Sequence, residues 1–461
     1  MPKRVDVAVV GAGIVGSLSA IRLARQGVEV ALIDAGPEPL RGRGLKCNTK
    51  PRHHVQSGLY NYSPAAANFL VDDVDFPYTT PVDRPFVWIR GRQVGGRLHL
   101  WDGCCPRFVP SMFERRFDGR QLWPLSFSDL ARYYDDAEAA LQVGSGSLSD
   151  AEQDLFYHLN SNALGQVISR PLARLSYLEL ITRLEEFPNL QIYPNRVAVR
   201  VVLDEHQEFV VGIECLCGSS ELELIRCGCA ILSASTLEST RLLLLSTSSR
   251  FPRGLGDKNG VLGHYLMDHT CGAVCTGIGP FTGSPSGGIY IYPELNSEQQ
   301  FFGVQAEVPS GAQQFWMVAM AETVPKLSNR VHLTRNLLDR DRLPTLHIDM
   351  AYGKIDRKRH AEAVAFLDAL QRFFKPVCSH LASELHCPGE SVHEMGTARM
   401  GFDESDSFLN HWCQSWHVPN LFVTDGSAFP TSAHPNPTLT MVALSLRTCD
   451  YLRQNKLFAL S

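Results

Sequence analysis

A glycine-rich turn between a strand and a helix constrains the fold of this chain more than any other segment. Residues 5–10 form a short, β-branched apolar run, which predicts a parallel strand buried on both faces. Gly11, Gly13 and Gly16 follow in the pattern G-x-G-x-x-G. Apolar residues at helical spacing then predict a helix over residues 17–26.

Each glycine of this turn has a physical task in a dinucleotide-binding unit. Gly11 permits the tight turn, Gly13 lets the backbone approach a pyrophosphate, and Gly16 lets the helix pack closely on the strand. Residues 28–33 predict a second strand, and Asp34 at its end stands where a carboxylate accepts hydrogen bonds from ribose. The unit therefore predicts dinucleotide binding, with FAD and NAD both open.

Length and charge exclude several classes of partner. A chain of 461 residues exceeds the usual size of one core, which predicts two lobes. The formal net charge of −5 favours no nucleic-acid partner. The apolar runs are shorter than a membrane span, and no secretory signal precedes the first strand, so no membrane partner is expected.

The cysteine pattern favours a reducing compartment. The chain has 13 cysteines, an odd number, mostly within apolar segments and without a C-x-x-C pair. We therefore predict reduced, buried thiols in a cytoplasmic protein and no metal site. A vicinal disulfide between Cys104 and Cys105 stays an open alternative.

Periodicity along the rest of the chain predicts alternating α/β, helical and antiparallel segments. Residues 37–85 are irregular and predict a long excursion over the cofactor face. Runs that alternate apolar and polar residues predict one antiparallel sheet from residues 288–292, 301–308, 315–321, 330–334 and 345–352. Predicted helices lie at residues 128–141, 176–187, 236–246 and 357–374, and residues 411–461 return to a strand followed by a helix.

These segments predict an α/β fold, α+β overall, with a Rossmann-type cofactor domain and a discontinuous substrate domain that contains an antiparallel sheet. We expect the cofactor domain to comprise residues 1–109 with the covering loop, 190–269, and 393–461. The substrate domain is expected to comprise a helical part, residues 110–189, and a sheet part, residues 270–392.

Seven motifs in family order resemble the glucose–methanol–choline (GMC) oxidoreductases. They are residues 11–16, 94–96 with Trp101, 233–244, 262–269, 329–331, 393–397 and 423–440. The carboxyl-terminal stretch is most similar to the pyranose-oxidase branch and its bacterial relatives. The resemblance implies FAD rather than NAD, a small-molecule alcohol substrate, and an electron acceptor, O2 or another.

The resemblance also implies a catalytic base. Family members remove a hydroxyl proton with a histidine of an H-x-x-G-T motif, here His393, and pass the carbon's hydride to flavin N5. Imidazole suits that task because its pKa lies near working pH. The alternative is a structural histidine in a loop. A zinc motif fails, because Thr397 stands where H-E-x-x-H needs its second histidine.

The second active-site position of the family maps to Asn436. Alternatively, Asn436 caps a helix that has Pro437 at its first position and continues from Thr438 to Leu452. Such a helix start would direct its positive end at the flavin N1/O2 region. His434 is a third candidate, as a hydrogen-bond donor.

Further cofactor contacts follow from the same resemblance. Asp425 and Gly426 resemble the contact to the ribityl–pyrophosphate portion, and Val197 falls where the family contacts adenine through its backbone. The remaining expected contacts are Gly95, Gly96, Pro437 and Thr438. Pyranose oxidases attach flavin to a histidine just before the tryptophan. Here that residue is Leu100, so we predict non-covalent FAD, with a link through His99 as the alternative.

The resemblance implies hydride removal from a CH–OH group of a sugar, glycoside, cyclitol or similar polyol, giving a carbonyl product. The alternatives are oxidation of a non-sugar primary alcohol, a non-redox lyase that retains FAD, and a non-catalytic flavoprotein. Neither the choice between oxidase and dehydrogenase nor the oligomeric state follows from the sequence.

Overall fold

The structure, a computed structural model, describes residues 4–38, 69–161, 165–218, 221–279, 287–295, 298–299, 301–307 and 314–459. Most of the predicted excursion over the cofactor face, residues 39–68, lies outside this part, as does the last residue of the run predicted at 301–308.

The described elements alternate between helices and strands throughout the chain. The helices are α1 (Ile14–Arg25), α2 (Pro110–Glu114), α3 (Phe127–Leu141), α4 (Asp150–Ser161), α5 (Tyr177–Glu185), α6 (Thr236–Leu245), α7 (Lys354–Phe374) and α8 (Thr438–Gln454). The strands longer than two residues are β1 (Val5–Val10), β2 (Val30–Ile33), β3 (Gly165–Ser169), β4 (Leu190–Tyr193), β5 (Arg196–Leu203), β6 (Val210–Cys217), β7 (Glu221–Leu232), β8 (Thr270–Ile278), β9 (Ile289–Leu295), β10 (Phe302–Glu307), β11 (Gln314–Ala321), β12 (Arg330–Leu338), β13 (Pro344–Asp349), β14 (Cys378–Ala382) and β15 (Leu421–Val423).

A parallel sheet forms the centre of the cofactor-binding half. Strands β4, β2, β1, β7 and β15 run parallel, with Val7 of β1 opposite Val30 on one side and Cys229 on the other. The apolar side chains of β1 and β2 are buried because helices cover both faces of such a sheet. The Rossmann-type core predicted from the first forty residues is thus confirmed.

Strand β7 pairs antiparallel along its first half and parallel along its second half. Its first half pairs antiparallel with β6, which continues to β5, whereas its second half lies parallel to β1. The strand Glu221–Leu232 is accordingly only partly buried in its first half and fully buried in its second half.

The second large sheet of the protein is antiparallel. Its order is Glu298–Gln299, β9, β10, β11, β8 and β14, with β3 also paired to β9. Along β11 the side chains alternate: Phe315, Met317 and Ala319 are buried towards α7, while the intervening residues are half-buried on the other face.

The prediction of one sheet from five runs is wrong for the last two. Strands β12 and β13 form a separate two-stranded hairpin. Their apolar residues pack in a cluster of their own, with Val331 and Ile348 against Tyr78 and Trp88. Alternation identifies a strand with one buried face, but it does not identify what covers that face.

Residues 110–189 contact both halves of the molecule. Helix α3 packs on α8 and shares the core of the parallel sheet, whereas α4 packs on β3 of the antiparallel sheet. The expected boundaries between cofactor and substrate domains stay a prediction.

Two further features bear on the sequence expectations. Within the described ranges, no helix is both long enough and apolar enough to span a bilayer. Cys104 and Cys105 are both free thiols, so the structure does not contain the vicinal disulfide left open above.

Candidate active site

One elongated cavity, of about 760 Å³, connects the glycine-rich turn with the carboxyl-terminal motifs. Its walls come from the parallel sheet on one side and the antiparallel sheet on the other. Most of the residues predicted as site residues line it: Gly11, Gly13, Asp34, Gly96, Val197, His393, Asp425, Gly426, Asn436, Pro437 and Thr438. Gly16 and Gly95 lie behind this lining.

The three glycines of the first turn are required for different reasons. Gly11 has φ +102°, and a Cβ there would lie 2.4 Å from the carbonyl oxygen of Ser233. A Cβ on Gly16 would lie 1.9 Å from the carbonyl oxygen of Gly11, so only glycine allows α1 to approach the strand this closely. A Cβ on Gly13, by contrast, meets nothing within 4 Å and would project into open space.

Gly13 also precedes the first turn of α1, and no side chain caps that helix. The backbone N–H groups of the first turn are therefore available to a ligand in the cavity, where the helix dipole favours an anion. A pyrophosphate suits this site, because it would occupy the open space in front of Gly13 and accept hydrogen bonds from the uncapped N–H groups.

Asp34 closes the turn from the end of β2. Its carboxylate accepts hydrogen bonds from the backbone N–H of Ala12, at 2.8 Å, and of Gly36, at 2.9 Å. Burial raises the pKa of this carboxyl group, while the two hydrogen bonds oppose that rise. Because each carboxylate oxygen has a further lone pair, Asp34 can hold the turn and still accept from a ribose hydroxyl.

The second glycine-rich turn packs against the first. Gly95 donates its N–H to the carbonyl of Ala12 at 2.7 Å, and a Cβ on Gly96 would lie 3.2 Å from the Cα of Gly13. Both glycines have positive φ, +91° and +52°. They therefore shape the cavity wall beside Gly13.

His393 and Asn436 meet at the other end of the cavity. The amide Nδ2 of Asn436 lies 3.3 Å from Nε2 of His393, although the two residues are 43 positions apart. Nδ1 of His393 lies 3.1 Å from Nδ1 of His269, and Asn436 Oδ1 accepts from Nε2 of Gln305 at 2.8 Å. The predicted catalytic pair is thus in contact and opens on the cavity.

The carboxylate of Asp268 fixes the backbone at His393 through a hydrogen bond. This buried carboxylate accepts from the N–H of His393 at 3.0 Å and of Gly389 at 2.7 Å, and also from the hydroxyl of Ser391. Burial, and then Glu394, raise the pKa of Asp268 to about 6. Val392 has φ +62°, a strained conformation for a β-branched residue, so the surrounding contacts must hold the loop directly before His393.

Burial sets the protonation of His393. It lowers the pKa of the imidazole well below its ordinary value of 6.5, and the neighbouring His269 and Arg97 lower it further. His393 is therefore neutral at neutral pH, with a ring nitrogen able to accept a proton.

Two family models match this chain. Residues 325–445, which carry His393, Asn436 and Asp425, match the model described as GMC oxidoreductase. Residues 6–45 match the model described as FAD dependent oxidoreductase. The chain belongs to the GMC oxidoreductase family. It is an FAD-dependent oxidoreductase.

Relatives and solved structures of full length agree with this assignment. The chain is 24% identical to 2-methyl-1,2-propanediol dehydrogenase of Mycolicibacterium austroafricanum, covering 97% of this chain and 95% of the relative. It is 25% identical to paromamine 6'-oxidase of Streptomyces fradiae, covering 96% and 90%. Formate oxidase of Aspergillus oryzae, in its R554K form, superposes with a TM-score of 0.72 at 16% identity, covering 98% and 99%, which shows a shared fold.

The cavity of this GMC oxidoreductase fits FAD along its length. The open space at Gly13 suits the pyrophosphate, Asp34 lies at the end that suits the adenosine ribose, and Val197 lines the cavity beside that end. Asp425 is buried and accepts from the N–H of Ser427 at 3.0 Å, while Gly426 has no room for a Cβ, which would lie 2.6 Å from the carbonyl oxygen of Glu394.

His99 of the GMC oxidoreductase is turned away from the cavity. Its ring stacks on Phe69 with centroids 4.3 Å apart, and its Nε2 lies 3.2 Å from the carbonyl oxygen of Val94. Leu100 lines the cavity instead.

Two alternatives for the carboxyl-terminal motif are resolved by contacts. The capping interpretation of Asn436 is wrong: α8 begins at Thr438, Pro437 takes the N-cap position, and no side chain caps the helix. The amide of Asn436 is instead bonded to Gln305 and His393. His434 is buried away from the cavity, with Nδ1 3.2 Å from the hydroxyl of Tyr290.

Several residues of the site were not predicted from the sequence. Gln305 is buried beside Asn436, and His269 is buried beside His393. Trp316, Val318 and Met320 line the cavity from the face of β11 that does not contact α7. Only the alternation of β11 hinted at such a face, and no sequence signal linked these residues to His393.

With His393 as the proton acceptor, as proposed below, its lowered pKa predicts the pH dependence of flavin reduction. A group with a depressed pKa is already deprotonated at neutral pH, so the rate should be constant between about pH 7 and about pH 8. Below the pKa the rate should fall by about tenfold per pH unit. Anaerobic stopped-flow measurement of flavin bleaching gives this profile, and a rate that still rises through pH 7 would contradict it.

Proposed function

We propose that this protein removes a hydride from a CH–OH group of a sugar, glycoside, cyclitol or similar polyol and gives the carbonyl product. The observation that carries the proposal is the contact between neutral His393 and Asn436 at one end of the FAD-sized cavity. FAD, when bound, accepts the hydride. The electrons would leave the site on O2 or another acceptor.

His393 supplies the base of the proposed reaction. Its Nε2 accepts the proton of the substrate hydroxyl, which increases the tendency of the carbon to release hydride. The amide of Asn436, now 3.3 Å from the same Nε2, donates to the hydroxyl oxygen as negative charge develops there. Gln305 keeps the amide oriented through its 2.8 Å hydrogen bond to Oδ1.

The antiparallel sheet provides the wall that a ring substrate would contact. Trp316, Val318 and Met320 offer an aromatic and apolar surface, and Gln305 and Asn436 add polar groups beside it. Carbohydrates and cyclitols combine apolar C–H faces with hydroxyl edges, which suits such a mixture of an apolar wall and a few polar groups. The related dehydrogenase and oxidase, named for a diol and for paromamine, support the same class of donor.

The proposal is tested by anaerobic mixing of the yellow holoenzyme with a panel of sugars, glycosides, cyclitols, diols and simple primary alcohols. Bleaching of the flavin, together with a carbonyl product in mass spectrometry, supports it. Bleaching by simple primary alcohols alone would favour the non-sugar alternative. If no alcohol bleaches the flavin, and a panel member is instead cleaved without redox change, the protein is a lyase and the proposal fails.

We propose that the FAD is held without a covalent bond, because Leu100 lines the cavity and His99 stacks on Phe69. Acid precipitation of the holoenzyme should therefore release all of the yellow colour into the supernatant. A pellet that stays yellow, and loses its colour in the His99→Ala variant, would contradict this prediction.

The role proposed for Asn436 predicts a defect in rate rather than in stability. Asn436→Ala removes the N–H donor without adding a charge, so flavin reduction should slow ~10²-fold. Because Asn436 does not cap α8, the melting temperature should change little. An unchanged reduction rate together with a loss of about a helix cap's stability, ~1 kcal/mol, would restore the capping interpretation.

We further propose a cytoplasmic location and a place in the pyranose-oxidase-like bacterial branch. The free thiols of Cys104 and Cys105 support the first, since adjacent buried cysteines stay reduced in the cytoplasm. The similarity of the carboxyl-terminal motif supports the second.

A further inference from the structure

A chain of hydrogen bonds begins at the backbone carbonyl of Ser432 and runs through four side chains of the site. Nε2 of His269 lies 3.3 Å from the carbonyl oxygen of Ser432, and its Nδ1 lies 3.1 Å from Nδ1 of His393. The chain continues from Nε2 of His393 to Asn436 and ends at Gln305. His269, Asn436 and Gln305 are buried.

The carbonyl at one end sets the direction of every hydrogen bond in this chain. A carbonyl oxygen can only accept, so Nε2 of His269 must carry the hydrogen. In a neutral imidazole the other nitrogen is then a bare acceptor, so Nδ1 of His269 cannot donate to His393. The hydrogen between the two rings therefore belongs to Nδ1 of His393.

The protonation of Nε2, on the far side of the His393 ring, follows from that of Nδ1. A neutral His393 that carries hydrogen on Nδ1 has a bare Nε2, which accepts from the Asn436 amide. Asn436 then presents Oδ1 to Gln305, which donates at 2.8 Å. No donor faces a donor, and no acceptor faces an acceptor, along the whole chain.

We propose that His269 is a positioning residue that locks His393 in the tautomer with hydrogen on Nδ1, so that Nε2 faces the cavity as the proton acceptor. The consequence for catalysis rests on the proposed function, whereas the tautomer itself does not. In the other tautomer Nε2 would carry a hydrogen and could not take the hydroxyl proton.

The surroundings of His269 keep it neutral and fixed. The side chain is fully buried, and burial lowers its pKa to about 4, so at neutral pH it stays an acceptor at Nδ1. The hydroxyl of Tyr352 donates to the carbonyl of His269 at 2.9 Å, which fixes the backbone. The two imidazoles meet edge to face with centroids 5.0 Å apart, a geometry that a phenyl ring can also adopt.

Two substitutions separate the hydrogen bond from the packing. His269→Phe keeps an aromatic ring in the buried site but removes the acceptor. His269→Asn gives up ring volume but places an amide oxygen close to the position of Nδ1, where it can accept from His393. A purely structural role predicts that phenylalanine is the better substitute, whereas the positioning role predicts asparagine.

The tautomer is measured directly by ¹⁵N NMR of the histidine-labelled holoenzyme without substrate. His393 is assigned by the signals lost in His393→Gln. In the wild type we expect its Nδ1 to be protonated and its Nε2 bare, and in His269→Phe we expect a mixture of tautomers. A wild-type His393 protonated at Nε2 would overturn the inference, whatever the substrate proves to be.

The rate is measured with whichever alcohol bleaches the wild-type flavin. His269→Phe should slow the limiting rate of reduction ~10²–10³-fold while the substrate Kd stays unchanged. His269→Asn should recover most of that loss. Equal rates in the two variants, or a faster phenylalanine variant, would overturn the inference. If no alcohol bleaches the wild-type flavin, the proposed function fails while the NMR result still decides the tautomer.

Discussion

Replacement of His393 by alanine is expected to leave FAD bound and to slow flavin reduction by alcohol ~10²–10⁴-fold. The variant removes the neutral ring nitrogen that would take the hydroxyl proton. It leaves the glycine-rich turns and Asp34 at the cofactor end of the cavity intact. Anaerobic stopped-flow spectroscopy measures the reduction, and the visible spectrum reports FAD content before substrate is added.

His380 provides a matched control, since it is an exposed histidine on β14. His380→Ala should reduce its flavin at the wild-type rate. If His393→Ala is also as fast as the wild type with full FAD content, His393 is not the base and the site assignment must be abandoned.

A second large effect is expected at the first glycine-rich turn. Gly13→Val should weaken FAD binding about 100-fold, because the new side chain would project into the space in front of α1 and displace the pyrophosphate from one or two N–H groups. Hydrogen bonds to a charged group contribute about 1.5–3 kcal/mol each, and about 3 kcal/mol corresponds to about 100-fold. Titration of the FAD-free protein with FAD measures the Kd.

The FAD-free Gly13→Val protein should melt at the same temperature as the FAD-free wild type, because nothing lies within 4 Å of the added Cβ. Gly16→Ala is the matched contrast. Its Cβ would lie 1.9 Å from a backbone oxygen, so the FAD-free protein should lose ~3 kcal/mol of stability. A Gly13→Val protein that binds FAD normally would show that the pyrophosphate lies elsewhere.

The cofactor half of the site was predictable because its signals are local. Strand, turn, helix and the carboxylate of Asp34 follow one another within residues 5–34, and each is specified by periodicity or by the steric needs of glycine. The structure agrees with strand β1 residue for residue, and it places α1 three residues earlier than periodicity alone indicated.

The catalytic half was predictable only through motifs. The resemblance singled out His393 and Asn436, but their partners come from distant segments. His269 is 124 positions from His393, and Gln305 is 131 positions from Asn436. No local rule joins such pairs, because the antiparallel sheet brings them together. The hairpin of β12 and β13 was misassigned for the same reason, since periodicity does not specify a tertiary partner.

Because side chains alternate along β11, mutations on one face of the strand affect the packing of the fold and mutations on the other face affect the cavity. Phe315, Met317 and Ala319 hold the strand to α7, so mutations there affect the fold. Trp316, Val318 and Met320 of the same strand line the cavity instead, so mutations there leave the packing on α7 intact. A lineage can therefore change the cavity surface through three alternate codons of one strand, and a laboratory library limited to these three positions should stay mostly folded.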